Sequence, residues 1–181
     1  MNTETMPLTK WAIDPTHSEL QFKVRHLMIS TVTGRFKSFT AEMESEGEDF
    51  TTAQVKFSAE TSSVDTGSEQ RDGHLKSADF FDVEKFPMLE FQSSLIEKSD
   101  EKNYIMQGLL SIRGLANPVK LQVEYAGKMK DPWGNEKAGF TLRGKINRSE
   151  WNLNWNAALE TGGFLLSDEI RIEADIQMVS K

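Results

Sequence analysis

Apolar and polar residues alternate along much of this chain, which places successive side chains on opposite faces of extended segments. Leu20, Phe22, Val24 and His26 share one parity, with Gln21, Lys23 and Arg25 between them. Ala53, Val55, Phe57 and Ala59 repeat the pattern, as do Val119, Leu121, Val123 and Tyr125, and Phe140, Leu142, Gly144 and Ile146. The clearest series is Ile170, Ile172, Ala174, Ile176 and Met178, separated by Arg171, Glu173, Asp175 and Gln177. Weaker versions fall at Leu89, Phe91, Ser93 and Leu95, and at Met106, Gly108, Leu110 and Ile112. One wet face and one apolar face is the habit of antiparallel sheets. No long helical pattern separates the strands, so a βαβ architecture is not expected. The reading is all-β, a closed antiparallel barrel of about eight strands.

Between Val32 and Met43 the apolar parity changes: Val32, Gly34 and Phe36 are even, whereas Phe39, Ala41 and Met43 are odd. A regular strand keeps one face, so a bulge or tight bend is expected near Lys37–Ser38. Turn signals stand at Asp14-Pro15, Glu46-Gly47, Asp100 to Asn103, Asp131 to Asn135 and Gly162-Gly163. One segment breaks the alternation. Thr66-Gly67-Ser68-Glu69 fits a capping box with Thr66 as cap, which predicts one short helix over about 69–76. Gly73 weakens that helix, and Pro87 restores an extended chain. Residues 149–167 are irregular, a ninth strand or a long hairpin arm. Residues 1–9 are expected to form a flexible tail before a single domain over 10–181.

Composition narrows the functional classes. The 181 residues favour one domain with a substantial core. A net charge of -7 argues against nucleic acid as partner, since phosphate recognition uses a basic face. With no cysteine, disulfides, thiolate metal sites and cysteine nucleophiles are excluded. No apolar run reaches the ~20 residues of a membrane-spanning helix. The polar start has no apolar segment of the signal-peptide kind, which predicts a cytoplasmic protein, or a periplasmic one if the chain is a mature form.

The inward parity mixes bulky residues (Phe22, Phe36, Phe57, Phe91, Phe140) with small ones (Gly34, Ala53, Ser93, Gly144, Ala174). An eight-stranded barrel either fills with side chains or holds one small ligand. The small residues suit either case, by leaving room or by interlocking with large neighbours. His26 and Arg148 share the apolar parity at strand ends, where polar groups at a barrel mouth can orient a ligand head.

Specific motifs then point to a family. Trp11-Ala12-Ile13-Asp14-Pro15-Thr16-His17-Ser18, followed by Phe22 and His26, resembles the opening of the YceI-like family. Ser63 to Gly67, Arg71 to Asp82, and Phe86-Pro87 with Phe91 are similar to its most specific block. Gly108 to Gly114 with Pro118-Val119, Gly139-Phe140 through Asn147-Arg148, Gly162-Gly163 and Asp168 to Ile170 continue in order. The tryptophan-rich stretch from Glu150 to Asn156 departs from the family's usual Asp-Phe-Gly type of sequence, and no role is carried onto it. The resemblance implies a lipocalin-like eight-stranded barrel that binds a long isoprenoid, polyisoprenoid or quinone-like, in an elongated pore. It implies no cofactor beyond that lipid, and it allows a homodimer. Many members of the family are exported to the periplasm.

On that reading the apolar contacts are Phe22, Val24, Phe36, Phe57, Phe91, Leu110, Leu121 and Phe140, with Phe80 and Phe81 either touching lipid or closing the core. His26, Arg71, His74 and Arg148 are candidates for the pore mouth or head group. Arg71 can pair with Asp72, in a local network that holds the helix, or with an anionic head group such as a diphosphate. The rival is a metal-dependent enzyme or stress protein using His17, His26 and His74, since three histidines can hold a catalytic zinc. Their spacing matches no His-Glu-x-x-His pattern. No Gly-x-Ser-x-Gly nucleophile elbow is present either, so the expectation is a carrier, storage or sequestration protein and not an enzyme. A third possibility is a filled barrel serving as a protein-interaction module.

Overall fold

The computed structural model describes residues 7–160 and 163–181. Eleven strand segments form one sheet: β1 (Leu8–Ile13), β2 (Glu19–His26), β3 (Ser30–Phe36), β4 (Phe39–Glu46), β5 (Asp49–Glu60), β6 (Val64–Asp65), β7 (Met88–Lys98), β8 (Asn103–Ile112), β9 (Leu115–Lys130), β10 (Glu136–Asn147) and β11 (Leu166–Ser180). Every pairing is antiparallel, and β11 closes the sheet on β1 through Trp11–Ser180 to Ile13–Met178. β1 and β2 lie in succession along β11 and are one strand bent at a 3₁₀ turn. β3 and β4 are likewise one strand bent at Lys37–Ser38, where the parity of the apolar residues changes. With the two-residue β6 set aside, the wall is an eight-stranded closed barrel.

The connections sort to two ends. The β4–β5, β7–β8 and β9–β10 turns lie at one end. The other end carries the β2–β3 hairpin, the long segment between β5 and β7, and the arm between β10 and β11. That segment holds the one α-helix among the described residues, α1 (Glu69–Lys76), over the expected span.

Its cap differs from expectation. Ser68, in an extended conformation, accepts from the Arg71 amide at 3.3 Å. Thr66 is already engaged: its hydroxyl donates to Asp72 at 2.6 Å and accepts from Arg71 Nε at 2.7 Å. Gly67, at φ +83°, turns the chain between the two residues, a conformation suited to glycine.

Two other expectations are corrected. Leu8 and Thr9, assigned to a tail, are β1 residues opposite Glu46 and Ser45, while residues 1–6 of that tail lie outside the described residues. Leu95 does not follow Ser93 inward. A bulge between Ser93 and Leu95 turns Leu95 out (46% exposed) and Ile96 in (9%), and the Ser93 hydroxyl accepts the Val55 amide at 2.8 Å. Of the two readings open for residues 149–167, the described residues follow the arm, up to Leu166 where β11 begins. The chain makes a 3₁₀ turn over Arg148–Trp151 and then an irregular arm with one bridge, Ala158 to Phe164. Gly162 of the expected Gly162-Gly163 turn lies outside the described residues.

Candidate functional site

The barrel is packed at one end and hollow toward the other. At the turn end Phe50 stands at the centre of an aromatic cluster, 5.0 Å from Tyr125, 5.2 Å from Phe140 and 6.2 Å from Tyr104 between ring centroids. Trp11 completes the plug and donates its indole N–H to Ser45. Burial pushes the Tyr125 phenol pKa up, which keeps that group neutral.

Beyond the plug runs a cavity of about 260 Å³ with an apolar wall. It reaches from Phe50, Tyr104 and Met178 to Leu75, Phe80, Phe81 and Leu153 at the lid end. Phe22, Val24, Leu142, Ile146, Ile170 and Ile172 face into it and are only partly buried, because the barrel axis offers them no packing partner.

Glycines help to keep that axis open. Gly34 pairs with Phe22 across β2 and β3, and a Cβ at Gly34 would stand 2.3 Å from the ring. A Cβ at Gly108 would meet the Phe91 ring at 2.5 Å. The far end of each ring reaches the bare backbone of a glycine, a close approach that a side chain would block. The small residues thus interlock with the large ones at the wall, and by doing so hold the rings away from the axis.

Phe22, Val24, Phe36, Phe57, Phe80, Phe81, Phe91, Leu110, Leu121 and Phe140 all line this cavity. Phe81 packs edge-on against Phe36 at 5.6 Å, and Phe80 sits under the lid against His74 and Trp155. Of the four polar candidates, Arg148 is in the wall and the other three are not. Arg71 is held outward by Thr66, through its hydroxyl and its carbonyl, both at 2.7 Å. His74 Nε2 donates to the Asp79 carboxylate (2.8 Å), and the ring meets Trp155 edge-on at 4.5 Å, which makes it part of the lid. His26 ends β2 opposite Leu166, beyond the cavity wall.

Arg148 is 5% exposed, and its guanidinium donates to three carbonyls: Ser167 at 2.9 Å, Leu153 at 2.5 Å and Trp155 at 2.8 Å. Burial lowers its pKa, and the nearby Asp168 carboxylate opposes that shift. Asp168 in turn accepts from the Ser149 amide and hydroxyl. Arg148 therefore ties the arm down across the lid end.

The arm contributes two residues from the tryptophan-rich stretch, onto which the sequence reading carried no role. Trp151 is fully buried and donates to the Leu110 carbonyl at 2.9 Å, and Leu153 enters the cavity wall. The histidines proposed for a metal stand on separate elements, His17 being held by Asp14 and Thr16. Among the described residues no three His, Asp or Glu side chains gather as a metal-binding group.

A closed antiparallel barrel around an apolar cavity, capped at one end by a helix and an arm, places the chain in the class of small hollow β-barrels. The YceI-like domain model matches residues 11–178, and the chain belongs to that family. A UPF0312 protein of Staphylococcus aureus is 37% identical over 171 residues, 94% of this chain and 97% of that protein. BcnA of Burkholderia cenocepacia superposes with a TM-score of 0.80 at 22% identity, covering 91% of this chain and 98% of that one. A polyisoprenoid binding domain from Saccharophagus degradans, implicated in plant cell wall breakdown, superposes at 0.68 with 14% identity, covering 94% and 98%.

Proposed function

We propose that this protein binds one long, linear apolar lipid of the isoprenoid class inside the barrel, as a carrier, storage or sequestration protein and not as an enzyme. The observation that carries this reading is the apolar cavity, which runs from the Phe50 plug to the Leu75–Phe80–Leu153 lid. Moving a chain from water into such a space contributes ~0.8 kcal/mol per buried CH₂. Its length along the axis suits a chain better than a compact ring system. The Saccharophagus degradans domain supports the isoprenoid class. Among the described residues Arg148 is the one charged side chain in the wall, and most of its guanidinium is committed to backbone carbonyls. Binding by chain burial, with little demand on the head group, follows from that arrangement.

Organic extraction of the purified protein, with mass spectrometry of the extract, tests this reading. A long-chain isoprenoid near one equivalent per chain is expected. An extract empty of lipid, from protein that also fails to take up added polyprenyl alcohol, would overturn it.

A further inference from the structure

We propose that the tip of the β2–β3 hairpin, together with the Phe164 end of the arm, is a membrane-contacting element through which the barrel exchanges its lipid with a neutral bilayer. This inference rests on the lipid-binding reading and adds the partner from which the lipid comes. The tip residues Leu27, Met28 and Ile29 are all apolar. Met28 is 71% exposed, Ile29 79%, and Phe164 on the adjoining loop 60%.

The backbone makes this composition costly. Leu27 and Met28 have φ of +54° and +60°, and Ile29 N–H donates to the His26 carbonyl at 3.2 Å. Two consecutive positive φ values favour Asn-Gly or Asp-Gly, and an L side chain there is strained. Solubility and turn stability both disfavour Leu-Met at this place, so a contact that uses the side chains accounts for them better than folding does.

The tip is also held in shape. Leu27 N–H donates to the Leu165 carbonyl at 2.8 Å, Arg25 donates to the Met28 carbonyl at 3.0 Å, and a Cβ at Gly163 would sit 3.7 Å from Met28 Sδ. Two chain-distant loops are thereby joined into one apolar point. It grows directly from the cavity wall, since Val24 of β2 and Leu166 of β11 both line the cavity and Leu166 pairs with His26.

A few side chains on a protrusion fall short of the ~20–30 residues a side that a stable protein interface uses. A bilayer needs no complementary surface, and its apolar interior accepts such a wedge. The net charge of -7 selects a zwitterionic surface over an anionic one.

The test compares the wild type with a Leu27→Asn, Met28→Gly double variant, which supplies the residues the turn prefers and so should fold at least as well. Phosphatidylcholine vesicles carrying a polyprenyl lipid are one source, and detergent micelles carrying the same lipid are the other. The inference predicts that the variant loads from micelles like the wild type, yet floats with vesicles less and takes lipid from them about tenfold more slowly or worse. Equal vesicle transfer by the two proteins would overturn it while leaving lipid binding intact, as would a wild type that loads from micelles but never associates with vesicles. A change of oligomeric state in the variant with unchanged vesicle transfer would assign the tip to self-association and also overturn it. A wild type that loads from neither source would instead overturn the lipid-binding reading.

Discussion

Replacing Gly34 by alanine places a methyl group where the Phe22 ring now lies, 2.3 Å from Cζ, 2.7 Å from Cε1 and 2.8 Å from Cε2. The backbone itself tolerates alanine, because Gly34 lies outside the left-handed region. The ring must therefore leave its seat, and the open side is the lumen. Overpacking of this kind costs ~1–3 kcal/mol, offset by about 0.4–1 kcal/mol from the lower entropy of the unfolded alanine chain. A net loss of about 1–2 kcal/mol is expected from these two effects, read as a lower urea midpoint at unchanged slope. Lipid uptake should fall too, because the displaced ring occupies the space the lipid needs. Gly73→Ala is the control: nothing lies within 4 Å of its Cβ position in α1, and it should stabilise by roughly 0.5–1 kcal/mol. In a Phe22→Leu background the Gly34→Ala penalty should largely vanish, giving a coupling of about 1 kcal/mol. A Gly34→Ala protein as stable as the wild type, with additive double-variant behaviour, would refute the idea that the ring is seated on the glycine.

Other outcomes follow from the lid and from the first turn. Arg148→Met should destabilise by about 2 kcal/mol or more, because three carbonyls lose a charged donor, and should open the arm to proteolysis between 152 and 160. Arg148→Lys should not rescue it, lacking the planar fork. Trp151→Phe should cost about 0.5–1.5 kcal/mol through loss of the indole hydrogen bond to the Leu110 carbonyl in a fully buried site, checked by denaturation. Hydrogen bonds from the Thr16 hydroxyl, His17 and Lys137 hold the Asp14 carboxyl well below the usual carboxylate range. A folded-state pKa below the unfolded one means that its stabilisation is present above the unfolded value and is lost as pH falls below about 4 toward the folded value. Asp14→Asn should thus flatten the acid limb of a stability–pH curve, and an unchanged acid limb would count against that network.

The parts of this fold that a one-dimensional reading reaches are those fixed by parity. The bend at Lys37–Ser38, the inward set and the α1 span needed only the period-2 rule and a run of cap residues. What escaped depends on partners remote in the chain. The bulge that exchanges Leu95 for Ile96 is held by a Ser93 hydroxyl on the Val55 amide, 38 residues away. Ser68 caps α1 because Asp72 and Arg71 have already taken Thr66. Arg148 has the parity of a pore residue and indeed reaches the cavity, but the carbonyls of an irregular arm decide what its guanidinium holds. The Leu27-Met28 turn carries no glycine, proline or asparagine, so no turn rule marks it. The apolar residues of the candidate site were therefore readable, whereas the roles of its polar residues required the tertiary structure.

On the proposed reading, the hollow half of the barrel holds one apolar chain. Native mass spectrometry of protein loaded with a polyprenyl alcohol tests this, with the wild type and a folded Phe57→Asp variant side by side, since Phe57 of β5 lines the cavity. A single one-to-one adduct is expected on the wild type and none on the variant. A wild type with no adduct, or an equal adduct on both proteins, would contradict it.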